Sequence, residues 1–410
     1  MKRLLFLFIA FAGLTACTSL PDTPYEEALL DLEVRVLYPE AYASSCREGV
    51  AITLEETTTL NRYTALTDAE GRTLFRVVRG IYRVSVADRT DEAVFNGLID
   101  RVRLTEGNVQ VSVPLVFSRP GSLIIKEVYT GGCSKAPEQG VYQSDRYFIL
   151  HNNSSEVLCL DGLCFGTLEP YNSNSSSGNA WTSTDPVTGA TLFREYAPIV
   201  EAVWRFPGSG SDFPLAPGAD AVVAINGAVD HTEQYPLSVN LNRAEYFVCY
   251  DRTLFPNVTY HPAPGDLILP SHYLEAAVKV GRSNAYILSL SSPTLVIFRA
   301  PEGTDMTEYL ADRAQSTVMK PESSEICVKV PWEWIIDGVE VYNGSSSNNV
   351  KRLSDVVDAG FVYLSAPSLG HTLHRRLDEA ATSAAGYEIY MDTNNSSNDF
   401  YEREVQSLHE

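Results

Sequence analysis

Five groups of side chains in this 410-residue chain have types and spacings that chemistry could use. His371, His374 and Asp378 stand at i, i+3 and i+7, so on a helix spanning 371–384 they would share one face and offer two imidazoles and a carboxylate, a zinc-like ligand set. On a strand the two histidines would point apart, and Arg375 and Arg376 between them would repel a cation. Asp392, Asn394, Asn395, Asn398 and Asp399 bring many oxygens into a short span, the ligand type calcium takes. They lack the Gly and bidentate Glu of a helix-loop-helix calcium loop, so a hydrogen-bonded turn is the favoured reading. Trp332 and Trp334, two apart, would lie on one face of a strand. Exposed, their rings would stack on a sugar or a planar ligand; burial in a core is the expectation. Cys159 and Cys164 flank a four-residue turn that a disulfide could close, or they are free thiols packed as small apolar groups.

The fifth group surrounds Cys17. Lys2 and Arg3 precede an apolar run from Leu4 to Ala12, and Leu14, Thr15, Ala16 and Cys17 follow at once. The apolar run is too short to span a bilayer as a helix, so 1–16 reads as an export signal. Small residues admit a peptidase, and the Cys17 thiol then sits where diacylglycerol can alkylate it and an acyl chain can cap the freed amine. This segment resembles the bacterial lipobox. The resemblance implies a lipid-anchored protein, with 17–29 a tether and membrane attachment through the lipid alone. Only Asp22, Glu26 and Glu27 supply acidity behind Cys17, short of the acidic run of a Bacteroidota surface-export signal. The expected location is the outer membrane, with outward exposure preferred to the periplasmic side.

Composition narrows the functional classes. The net charge is −21, and losing Lys2 and Arg3 with the signal makes the mature chain more acidic still. Such a chain repels phosphate backbones, which argues against nucleic-acid partners. A 44% hydrophobic content supports real cores. No Gly-x-Ser-x-Gly elbow, phosphate-binding loop, His-Glu-x-x-His or dinucleotide fingerprint occurs, so no catalytic residues are assigned and no cofactor is expected beyond the lipid on Cys17.

The elements that must position these residues are strands. Leu32, Val34 and Val36, then Val50, Ile52 and Leu54, then Tyr82, Val84 and Val86, then Val109, Val111 and Val113 alternate with polar residues, the period of half-buried strands. Thr67 to Gly71 is a tight turn between two of them. This order resembles the transthyretin-like, carboxypeptidase-regulatory-like domain, which implies a seven-stranded β-sandwich over 30–118 acting as a spacer or interaction module. Beyond Arg119, Pro120 and Gly121, the runs Leu123–Tyr129, Arg146–His151 and Val157–Leu160 precede Asp161 and Gly162. With Ala221–Ile225, Thr294–Phe298 and Ile335–Val339 they resemble a lamin-tail-like domain, implying a larger β-sandwich over 121–410 with long loop insertions. Asn172–Asn179 and Asn343–Asn349 should be loops, and helix is plausible only at Leu310–Arg313 and Leu373–Ala384.

The stretches Tyr147–Cys164 and Asp392–Phe400 look like those of a Bacteroidota lipoprotein family known as domain of unknown function 4876. The resemblance implies a mainly β fold and no known catalytic residues. Three functions stay open: a non-enzymatic binding or interaction module, an accessory lipoprotein of a TonB-dependent receptor for nutrient or metal uptake, and a hydrolase assembled from loop carboxylates. Oligomeric state is not readable from the sequence.

Overall fold

The computed structural model describes residues 29–409 apart from 43–47, 90–92, 119–120, 176–180, 185, 187–190, 319–325 and 345–347. The signal segment and Cys17 therefore lie outside the described residues. The described residues are mainly β, 41% strand and 9% helix. No helix among the described residues is long and apolar enough to cross a membrane.

Among the described residues the N-terminal unit carries eight strands rather than seven, in two sheets. The first orders Arg72–Val77, Leu30–Leu37 and Val109–Pro114. The second orders Arg62–Leu66, Ala51–Glu56, Gly80–Arg89, Val94–Leu104 and Val116–Ser118. The added strand is the short Val116–Ser118, which pairs antiparallel with Val94–Asn96. Both sheets feed one core, with Leu32 and Val34 from the first packed with Ile52, Leu54, Val84 and Phe95 from the second. That is what the alternation requires, since residues two apart on a strand share a face. The alternation fails in one informative place. Arg83 and Ser85, on the opposite face of the Gly80–Arg89 strand, are also buried, because the second unit covers that face.

In the C-terminal unit the strands do not divide into the two sheets of a sandwich. Apart from three two-stranded ribbons, Cys133–Ser134 with Val141–Tyr142, Leu158–Cys159 with Pro214–Leu215 and Thr182–Thr184 with Thr191–Phe193, they form one continuous hydrogen-bonded path, a nearly closed, barrel-like sheet. From one end it runs Val362–Tyr363, Ile335–Tyr342, Thr294–Phe298, Cys164–Leu168, Tyr196–Arg205 and Tyr273–Lys279. It continues through Phe247–Cys249, Asp220–Ala224, Tyr147–Asn152, Leu123–Tyr129, Thr372–Arg375 and Phe400–Arg403. Ile326–Pro331 and Ser316–Val318 branch from the Tyr196–Arg205 strand. A curled sheet has an inside, and Leu123, Phe148, Phe165, Trp204, Phe247 and Val339 meet there in one core. Leu123–Tyr129 and Tyr147–Asn152 are buried along their whole lengths, polar Lys126, Glu127, His151 and Asn152 included, which accounts for the lack of apolar–polar alternation in them.

The helices are short. Met306–Ala311 starts on Asp305, whose carboxylate accepts from the Thr307 and Glu308 amides. Glu379–Ala385 starts on Asp378 and ends on Gly386 at φ 81°, a left-handed C-cap that glycine adopts without a Cβ penalty. The helix expected from Leu373 begins six residues later, because Thr372–Arg375 is held as a strand between Leu123–Tyr129 and Phe400–Arg403.

Candidate functional site

Where the curled sheet nearly closes, side chains take over from the backbone ladder. The Ile125 amide donates to Asp337 Oδ2 at 2.6 Å, and its carbonyl accepts from Arg375 Nε at 2.8 Å. Arg375 Nη2 lies 2.7 Å from each Asp337 oxygen, a bidentate pair. Arg375 Nη1 reaches Asp392 and Asp399, each at 3.3 Å. All four side chains are essentially inaccessible to solvent. Burial, opposed by Arg375 and reinforced by the Asp392 charge, pushes the Asp337 and Asp399 carboxyls up to about 7.

The acidic stretch proposed as a calcium loop is therefore built into the seam. Asp399 accepts from the Thr393 amide and hydroxyl, Asp392 accepts from the Gly121 amide, and Asn395 caps the Ser396–Asp399 turn. The Arg375 guanidinium lies against Asp392 and Asp399, and Asn395 caps a short turn between them, the arrangement that the turn reading describes.

The zinc constellation does not assemble. His371 pairs with Glu402 at 2.6 Å, His374 Nδ1 faces the Arg375 carbonyl at 2.6 Å, and Asp378 is spent on the Ala381 amide. The strand, not a helix, sets their directions. Among the described residues no group of three or more His, Cys, Asp or Glu is placed to hold a metal ion.

Cys159 and Cys164 are free thiols. The loop between them is organised by Asp161, which accepts from the Gly210, Asp212 and Phe213 amides and from Cys159 Sγ. Those donors hold the Asp161 carboxyl far below the usual range against the opposing effect of burial. Trp332 and Trp334 lie in a 3-10 turn rather than a strand. They are half-buried: Trp332 donates to the Arg194 carbonyl at 2.6 Å and packs edge-on against Phe193, while Trp334 packs on Tyr309. Neither forms an open stacking platform.

What the sequence did not announce is a cleft of about 470 Å³ between the two units. One wall is the outer face of the five-stranded sheet, with Ala51, Thr53, Glu55, Arg62, Thr64, Arg83, Ser85 and Ala87. The other is Arg376 and Asp378 with Met391, Thr393, Ser397 and Asn398. The walls are joined by buried contacts. The Arg83 guanidinium sits 4.0 Å over the Phe361 ring, donates to Tyr363 Oη at 2.8 Å and pairs with Glu55 at 2.8 Å. Asn96 donates to the Thr393 carbonyl.

Arg376 follows Arg375 in the chain, yet it lines the cleft. Its amide and carbonyl are fixed by Asp399 and Met391, and its guanidinium lies 5.1 Å over the Tyr401 ring. Burial and then the like charge of Arg62 push its pKa down. Its side chain makes no hydrogen bond or ion pair with any described residue, and the same holds for the hydroxyls of Thr53, Thr64 and Ser85. Among the described residues the lining contains no histidine and no cysteine.

Residues 216–407 match the family described as protein of unknown function (DUF4876). The DUF4876 match takes in Asp337, Arg375, Asp392 and Asp399 of the seam and the Arg376 wall, and leaves Ile125 and the N-terminal wall outside it. A crystal structure of a DUF4876 family protein from Bacteroides thetaiotaomicron VPI-5482 is similar across both units. It shares 26% identity and a TM-score of 0.56, over 91% of this chain and 94% of that one. A putative adhesin from Bacteroides ovatus ATCC 8483 shares 9% identity over 35% of this chain and 55% of its own, at a TM-score of 0.20. No curated protein matches the chain.

Proposed function

We propose that the protein is a non-enzymatic binding module of the outer membrane, anchored by lipid on Cys17, whose recognition site is the cleft between its two units. The observation that carries the reading is the cleft itself: about 470 Å³ with unpartnered polar groups on its walls, bridged by buried contacts that fix one wall against the other. That volume falls within the roughly 300–1,000 Å³ typical of small-molecule sites. Binding across rigid β elements needs little reorganisation, which favours affinity. The two sheets that share a core before residue 118 fit a transthyretin-like, carboxypeptidase-regulatory-like module. The strand succession after it, with its long connections, supports a lamin-tail-like ancestry for the curled sheet.

The test is a ligand-observed NMR screen of polar metabolites against the full mature chain in detergent, repeated with Ala51→Trp to fill the cleft. Ala51 is exposed on the cleft wall, so the indole enters space rather than core. Hits abolished by Ala51→Trp support the reading; hits indifferent to it overturn it.

A further inference from the structure

From the chemistry of the same cleft, and resting on the reading of it as the binding site, we infer that its ligand is a small hydroxylated organic anion, a sugar acid or a sugar phosphate.

The lining carries three arginines, Arg62, Arg83 and Arg376, against one glutamate and one aspartate, in a chain of net charge −21. A locally positive cleft on so acidic a protein is not a by-product of composition. Both carboxylates are committed. Glu55 holds Arg83 at 2.8 Å and Arg62 at 2.5 Å, and Asp378 accepts from the Ala381 amide that it caps. The Arg376 guanidinium makes no hydrogen bond or ion pair with a described residue, and Tyr401 and Asp399 act on it only through longer-range attraction. With one face of its guanidinium over Tyr401, the edge of the fork is free, and that edge matches carboxylate and phosphate oxygens in bidentate fashion.

Arg62 reinforces the point. Two like charges face the same space, and an anion between them would turn repulsion into attraction on both sides. The rest of the lining offers hydroxyl and amide groups. Thr53, Thr64 and Ser85 offer hydroxyls that no described residue uses, and Asn398 presents a side-chain amide in the same state. No aromatic ring is on the lining, and only Ala51, Ala87 and Met391 are apolar. A polyol with one anionic group finds partners on this wall for both its charge and its hydroxyls.

The experiment is calorimetric titration of the full mature chain in detergent, in low-salt buffer, with D-glucuronate, glucose 6-phosphate and neutral glucose. At least one anion should bind tenfold or more tightly than glucose, and which one does so distinguishes carboxylate from phosphate. Arg376→Gln should weaken that anion at least tenfold and leave glucose unchanged, with Arg376→Lys recovering part of the loss. Arg62→Gln, on an exposed side chain, gives an independent decrease should Arg376→Gln fail to fold. Anions that bind no better than glucose, or not at all, or that ignore both substitutions, overturn the inference. Should glucose binding persist and be abolished by Ala51→Trp, the cleft reading survives that failure; binding of all three probes that ignores Ala51→Trp ends both.

Discussion

Arg375 and Asp337 face each other across the seam of the curled sheet, with one guanidinium nitrogen 2.7 Å from both carboxylate oxygens. The pair brackets Ile125, one partner taking its amide and the other its carbonyl, so a salt bridge does the work of a missing strand pairing. The same guanidinium gathers Asp392 and Asp399, tying the C-terminal motif to the strand that begins the unit. The next residue, Arg376, is thereby set at the cleft.

Arg375→Met should be severely destabilising. It leaves three carboxylates buried without their cation, and breaking a buried pair from one side costs about 3–5 kcal/mol. Urea denaturation followed by tryptophan fluorescence measures the loss. Wild-type stability in this variant would show that the seam is held by packing alone.

The acidic trio should also give stability a particular pH dependence. Asp337 and Asp399 titrate near 7 when folded and in the ordinary carboxylate range when unfolded. The folded state then holds the proton more tightly. The stabilisation is complete below the unfolded value and is lost as pH rises through about 7. His261 acts in the opposite sense: burial lowers it to about 4, so its contribution is lost as pH falls from the ordinary histidine value towards 4. The comparison that isolates the trio is wild type against Asp399→Asn. On going from pH 8 to pH 5, wild type should gain on the order of 2 kcal/mol relative to the variant. A pH-independent difference between the two would contradict the assignment.

Arg83→Ala tests the docking of the two units. It removes the cation over Phe361, the hydrogen bond to Tyr363 and one partner of the buried Glu55. A loss of about 3 kcal/mol is expected, and in scanning calorimetry the wild type should unfold in one transition and the variant in two. One undivided transition at the wild-type temperature would mean that other contacts fix the units.

How far the sequence disclosed this follows from what each signal measures. Alternation at Leu32, Val34 and Val36 reports a half-buried strand, and it placed the N-terminal sheets correctly. At Arg83 and Ser85 it suggested exposure, because a period of two cannot say what another unit will cover. The spacing of His371, His374 and Asp378 suits a helix, but pairing with Leu123–Tyr129 outweighs local propensity. Asp392 to Asp399 was legible as a polar turn; that its counter-ion is Arg375 depends on a tertiary contact. The cleft was invisible for the same reason, since its walls come from residues some 300 positions apart, such as Ser85 and Thr393, with no shared motif. Arg376 carried a weak hint, being a second charge beside one that the core needs.

Thiol labelling checks the local account of Cys159. Cys133, Cys164, Cys249 and Cys327 are buried, whereas Cys159 is half-exposed. Under native, non-reducing conditions a maleimide should modify Cys159 first among these five. Its rate should keep rising above the usual thiol range, because burial and the hydrogen bond to Asp161 push its pKa up. Failure of Cys159 and Cys164 to label even in denaturant would reveal a disulfide and contradict the free-thiol arrangement.

The central claim, that the cleft between the units is the binding site, is tested most directly by hydrogen–deuterium exchange on the full mature chain with and without the tightest ligand from the screen. Slower exchange is predicted on both walls together, in Ala51–Glu56 and Gly80–Arg89 on one side and in 391–398 on the other. Protection confined to one unit, or lying away from both walls, would contradict it.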